Sequence, residues 1–236
     1  MQPAIMNGIW PIPGPSTIQA TFLTLVMVST SAEEAKSPDE NFMLVLRETQ
    51  GANKRQFNFV PFGPSTGNLA NGETITVDSA WFDLIGDMHV RFVVDGETTM
   101  RNLTAEEFDA YGLTPTEAVD IAIRNIKARY GQPRAKPWAE GIMVIEGESP
   151  DLDSSYFLDR SFWDKVLVKH PEGLIVGVPG RGALVYAPAS DREAVAALER
   201  SIRSLYESSE DLRVSSALYL YKDRRWTVYR APSSLN

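Results

Sequence analysis

Residues 173–188 read GLIVGVPGRGALVYAP, two short apolar runs on either side of Pro179, Gly180, Arg181 and Gly182. Apolar runs of this length, rich in β-branched residues and bounded by turn formers, mark strands buried in a sheet. The stretch therefore predicts a tight hairpin with Arg181 held at its tip. Pro179-Gly180 suits the centre of a type II turn, where Gly supplies the positive φ.

Helical signals lie on both sides of this hairpin. Upstream, Thr104 with Glu107 and Thr114 with Glu117 each form a capping box, and Leu103 can staple onto Phe108. Pro115 takes the first helical position, and Gly131 is placed to stop the helix. Val119, Ala122, Ile123, Ile126 and Tyr130 form an apolar stripe at helical spacing between them. Residues 142–145 read as a short buried strand, and 154–168 (SSYFLDRSFWDKVLV) as a helix. Downstream, Ser190 with Glu193 suggests a third capping box, ahead of a helix carrying Val195, Leu198, Ile202, Leu205 and Tyr206. Residues 217–221 and 226–229 close the chain as a hairpin around KDRR.

The front half is β-rich. Strands are expected over 18–29, 42–48, 56–62, 74–77 and 88–94, after an irregular proline-rich arm at 1–16. Residues 63–73 (GPSTGNLANGE) read as loop, with Asn71-Gly72 as a turn signal. The back half runs α-β-α-β-β-α-β-β, without the regular βαβ alternation of a doubly wound fold. The expected class is α+β with a mixed or antiparallel sheet.

From residue 103 to about 230 this layout resembles the uncharacterised bacterial YtpQ-like family. The resembling segments are TAEEFDAYGLTPTEAVDIAIRNI (104–126), GIMVIEG (141–147) ahead of Phe162-Trp163, GLIVGVPGRGALVYA (173–187) and YLYKDRRWTVY (219–229). The most specific element is Val178-Pro179-Gly180-Arg181, an apolar strand ending in V-P-x-R. The resemblance implies a fold and a cytoplasmic compartment, and it transfers no catalytic residue. It divides the chain into an arm and β-rich region at 1–100 and an α+β YtpQ-like region at 101–236.

Composition narrows the function classes. The chain has 236 residues, 43% of them hydrophobic, enough for a sizeable core without staples. With no cysteine, disulfides and thiolate metal sites are excluded. Net charge is -8, with 6 basic against 15 acidic side chains in residues 1–118. Such a balance weighs against phosphate backbones, whose binding needs basic neutralisation, and suits a basic protein partner. Residues 21–28 (TFLTLVMV) are too short to span a bilayer and lack a basic flank, so neither membrane nor secretion is expected.

Three groups are candidate sites. Arg181 between Gly180 and Gly182 could offer its fork to a carboxylate or phosphate while the glycines admit a ligand to the backbone; alternatively the glycines serve the turn and Arg181 is merely exposed. Glu146, Asp151 and Asp153 belong to an acidic run with oxygen ligands for a divalent cation, or supply an acid/base pair, but without the EF-hand spacing. Lys222, Arg224, Arg225 and Arg230 interleave with Tyr221, Trp226 and Tyr229, as a single-strand nucleic-acid surface would or as a core face and charged turn would. His89 and His170 are isolated, and His89 is expected to face solvent or a neighbouring strand. The expected function is a non-enzymatic, cytoplasmic protein-interaction role, regulatory or immunity-type, without a cofactor. The alternative is a ligand-binding module or hydrolase using Arg181 with Glu146 and Asp151.

Overall fold

The hairpin at 173–188 is the centre of the larger of two sheets. In the computed structural model, which describes residues 37–68 and 72–233, the front half contributes β1 (Phe42–Glu48), β2 (Val60–Pro61), β3 (Ser65–Asn68), β4 (Thr74–Val77), β5 (Trp81–Asp83), β6 (Met88–Asp95) and β7 (Met100–Asn102). Then follow α1 (Ala105–Asp109), α2 (Pro115–Tyr130), β8 (Arg134–Pro137) and β9 (Met143–Glu146). A 3₁₀ segment (Pro150–Leu158) leads into α3 (Arg160–Lys169), β10 (Leu174–Gly180), β11 (Ala183–Pro188), α4 (Arg192–Ser208), β12 (Leu218–Lys222) and β13 (Arg225–Arg230). The strands expected over 18–29 and the arm at 1–16 lie outside the described residues.

One sheet runs β1-β6-β5-β2, with β7 also paired to β6. The second runs β13-β12-β10-β11-β9-β8, and β3-β4 form a separate ribbon. Every pairing between these strands is antiparallel. The protein is α+β.

All seven residues of β10 are buried because both faces of its sheet are covered. Ile175 and Val185 meet Ala194, Leu198 and Ile202 of α4 on one face. On the other, Leu174, Val176 and Tyr186 join Phe157, Trp163, Tyr219 and Trp226 in a cluster that also holds Leu44, Leu46, Val90 and Phe92 of the first sheet. Both sheets thus share one core. Buried hydrogen bonds join them as well: Ser215 Oγ donates to Asp87 Oδ1, the Tyr219 hydroxyl donates to the same oxygen at 3.2 Å, and Ser155 Oγ donates to Leu44 O at 2.9 Å.

Both upstream capping boxes form at Thr104 and Thr114, and Leu103 and Phe108 are buried in the same cluster. Other boundaries move. The chain turns at Arg181-Gly182 instead of Pro179-Gly180, since Gly180 still pairs with Ala183 and its φ is not positive. A register shift between Gly177 and Gly180 absorbs Pro179, which has no N–H for the ladder. The expected helix over 154–168 is split, because buried Asp159 caps α3 by accepting from Phe162 N while Pro150–Leu158 forms tighter turns. The helix after residue 190 is capped by Asp191, not Ser190. Only Val60–Pro61 of 56–62 is strand, an edge where a proline is tolerated. Part of the expected loop at 63–73 is instead strand β3.

Trp163 organises the 3₁₀ segment: its indole N–H donates to Tyr156 O at 2.9 Å and Phe157 O at 3.0 Å, and its ring is fully buried. Trp163→Phe removes that donor and leaves a void, so it is expected to cost about 2–4 kcal/mol in urea unfolding. A change below about 0.5 kcal/mol would show that the bond is dispensable. Burial raises the Asp87 carboxyl to about 6, opposed by its Ser215 and Tyr219 hydrogen bonds. Its folded value exceeds its unfolded one, so its stabilising contribution is present at low pH and is lost as pH rises through 6. Asp87→Asn is therefore expected to gain stability relative to wild type between pH 4 and pH 7, by up to about 3 kcal/mol. Thermal unfolding of both proteins across that range checks the slope.

Candidate functional site

Arginines in a half-buried strand must find something to pair with, and the first sheet contains two of them facing the same way. In the β1–β6 ladder Arg47 lies opposite His89 and Val45 opposite Arg91. In the β5–β6 ladder Trp81 lies opposite Arg91 and Asp83 opposite His89. Directly opposed residues share a face and alternate residues return to it. Arg47, His89, Arg91, Trp81 and Asp83 are therefore neighbours on one face.

A chain of contacts orients Arg91. Its Nε donates to His89 Nε2 at 2.9 Å. Guanidinium groups only donate, so Nε2 must accept and Nδ1 carries the imidazole proton. Nδ1 then donates to Thr49 Oγ1 at 2.9 Å, leaving the Thr49 hydroxyl to reach Asp83 Oδ1 at 3.4 Å. The Arg91 guanidinium lies 3.8 Å from the centre of the Trp81 ring, a cation–π contact. Phe62 packs 4.9 Å from the His89 ring. Burial, then the charges of Arg91 and Arg47, lower the His89 pKa to about 3. The residue is 2% exposed rather than facing solvent.

Arg181 arrives from the second sheet. Its backbone N–H donates to Leu212 O at 2.9 Å, and its carbonyl accepts from Ser154 N at 2.9 Å. Because the adjacent Ser155 is bonded to β1, this places the hairpin tip beside Arg47. The Arg181 side chain is 15% exposed, and its ion-pair partner is Asp151 at 3.8 Å, itself 66% exposed. A pair that long and that open contributes little. Among the described residues neither Arg47 nor Arg91 has an ion-pair partner. Burial, then Arg181 and Arg91, depress the Arg47 guanidinium to about 10, and Asp151 only partly offsets them. Arg181 Nε and Trp81 Nε1 are buried without a hydrogen-bond partner. The arrangement is a cationic cluster with unused donors.

The other sequence candidates separate. A Cβ on Gly180 would overlap Ser209 Oγ, and one on Gly182 would stand 3.0 Å from Pro150 O. The close approach those glycines allow is taken up by the protein's own chain. Arg181 also borders a groove of about 570 Å³ with Glu210 and Asp211, neither within ion-pair distance of it. Glu146 pairs with Lys136, Asp151 with Arg181, and buried Asp153 accepts from Gly147 N at 2.7 Å. Burial, with Glu146 adding to it, pushes the Asp153 carboxyl up to about 6. Among the described residues no three of His, Asp and Glu gather in a way that could hold a metal ion. Tyr221 and Trp226 are buried in the core and Arg224 pairs with Asp164 at 3.0 Å, so this hairpin lacks two of its expected stacking rings. Glu48 and Asp87 line a pocket of about 310 Å³, but Tyr206, Ser215 and Tyr219 hydroxyls already occupy them.

Sequence reading found Arg181 and missed Arg47 and Arg91. The available signal was an arginine within an otherwise apolar strand, in FMLVLRE and MHVRFVVD. No family model, curated protein or solved structure matches the chain.

His89 is expected to stay neutral in its Nδ1–H form down to about pH 5, which ring-nitrogen NMR shifts read directly. Its folded pKa lies below its unfolded one, so its stabilising contribution is present above about pH 6.5 and lost on acidification. A protonation midpoint above pH 5 would contradict the Arg91 contact.

Proposed function

We propose that the protein recognises a small anionic ligand through Arg47, Arg91 and Arg181, as a binding module and not as an enzyme. One observation carries this reading: three half-buried guanidinium groups are answered by a single carboxylate, Asp151, at 3.8 Å. Uncompensated buried charge is expensive, and folds retain it where a ligand supplies the counter-charge. This favours the ligand-binding alternative over a protein-interaction role read from charge alone. Asp151 pairs only loosely with Arg181, and no acid/base role for it is needed. Among the described residues no helix is long and apolar enough to cross a membrane, which suits a ligand met in water.

Thermal unfolding in sulfate against chloride at equal ionic strength tests the reading. Wild type is expected to gain several degrees in sulfate, as ligand binding to the folded state alone requires. Arg91→Gln and Arg181→Gln are each expected to lose most of that gain. In chloride, Arg47→Gln is expected to unfold no earlier than wild type, because it relieves repulsion among like charges. A loss above about 1 kcal/mol there would mark Arg47 as structural instead.

A further inference from the structure

The charge and donor inventory of the arginine cluster discriminates between anions. Arg47, Arg91 and Arg181 bring three positive charges, and Asp151 is the one carboxylate paired with them. His89 adds none, because it is held neutral with Nε2 occupied by Arg91. Asp83 faces the same side and accepts from Thr49, but its charge acts on Lys54 and is not among those felt by Arg47. The excess is therefore two positive charges, which a monoanion such as a carboxylate or a sulfate ester leaves half answered.

Donor directions narrow the choice. Arg91 has one face on Trp81 and its Nε on His89, so its free N–H groups are those of the two terminal nitrogens. Arg181 comes from the hairpin tip with a buried, unpartnered Nε, and Trp81 Nε1 is a second buried donor without a partner. Arg47 lies between them on β1. Arg47 is within electrostatic reach of both Arg91 and Arg181, so the three guanidinium groups form one cluster rather than two separated forks. A planar carboxylate offers two oxygens in one plane. A phosphoryl group offers three terminal oxygens on a tetrahedron and carries nearly two charges at neutral pH.

We infer that the ligand is a phosphate monoester, bound as its dianion by Arg47, Arg91 and Arg181 with the Trp81 indole N–H as a further donor. This rests on the anion-recognition reading above. Because the second phosphate pKa lies near 6, the dianion fraction rises roughly tenfold from pH 5 to pH 7.5.

Calorimetric titration of the full chain with four probes tests the inference. Glycerol 2-phosphate is expected to bind about tenfold more tightly at pH 7.5 than at pH 5. Sulfate, a dianion throughout, is expected to show at most a small change, and that change reports titration of the protein itself. At pH 7.5 methyl sulfate and malonate are each expected to bind at least about tenfold more weakly than glycerol 2-phosphate, the first for lack of charge and the second for splitting it over two planar groups. Equal affinity for methyl sulfate, tighter binding of malonate, or pH-independent binding of glycerol 2-phosphate overturns the phosphate assignment while leaving an anion site in place. Binding of none of the four overturns both. Arg47→Gln, which removes one charge without touching the His89 contacts, is expected to narrow the preference for glycerol 2-phosphate over methyl sulfate.

Discussion

The backbone of Arg181 is hydrogen-bonded from two directions, to Leu212 O through its N–H and to Ser154 N through its carbonyl. With the turn held there, β10 continues past Pro179 and its free edge is extended by residues 212–215. Val214 N donates to Pro179 O at 3.2 Å and Ser215 N to Val178 O at 2.9 Å. The same Ser215 reaches Asp87 in the turn between β5 and β6. The Ser215–Asp87 bond crosses to the first sheet and the others fix the Arg181 backbone beside the second, so the position of the hairpin tip is set by these hydrogen bonds and not by the flexible Arg181 side chain. Binding groups carried on such pinned elements keep their geometry better than groups on free loops.

Electrostatics explain why this junction stands out in an acidic protein. The net charge of -8 is spread over solvated surface, where screening makes each charge nearly independent. Arg47, Arg91 and Arg181 are withdrawn from that solvent, and their mutual repulsion is felt in a lower dielectric. The stacking of Arg91 on Trp81 and its bond to neutral His89 hold one cation in place without neutralising it. Stability is given up locally for a preorganised positive region, the pattern expected at a site shaped for a ligand.

Legibility followed the range of the interaction. The capping boxes at Thr104 and Thr114 and the strands Phe42–Glu48 and Thr74–Val77 are local signals, and the structure has them where they were expected. Errors arose where a distant partner outbid a local preference. Pro179-Gly180 has good turn chemistry, yet the edge offered by residues 212–215 keeps the strand running. The segment at 154–168 has helical periodicity, yet Asp159 is drawn into bonds with Lys127 at 3.1 Å and Ser161 at 2.6 Å and begins a new helix instead. Ser190 and Asp191 are both competent caps, and their local chemistry alone does not choose between them.

For the site, Arg181 at the turn of a buried hairpin, the absence of cysteine chemistry and the α+β class are legible in the chain alone. These depend on residue identity and short-range period. Long-range packing adds that Gly180 and Gly182 accommodate Ser209 and Pro150, that the carboxylates at 146, 151 and 153 are separately engaged, and that Arg47 stands near both Arg91 and Arg181. The physical reason is register. A strand reveals its own alternation, but which residues of two strands share a face is set by long-range pairings, Arg47 with His89 and Val45 with Arg91, and by a second sheet in the case of Arg181.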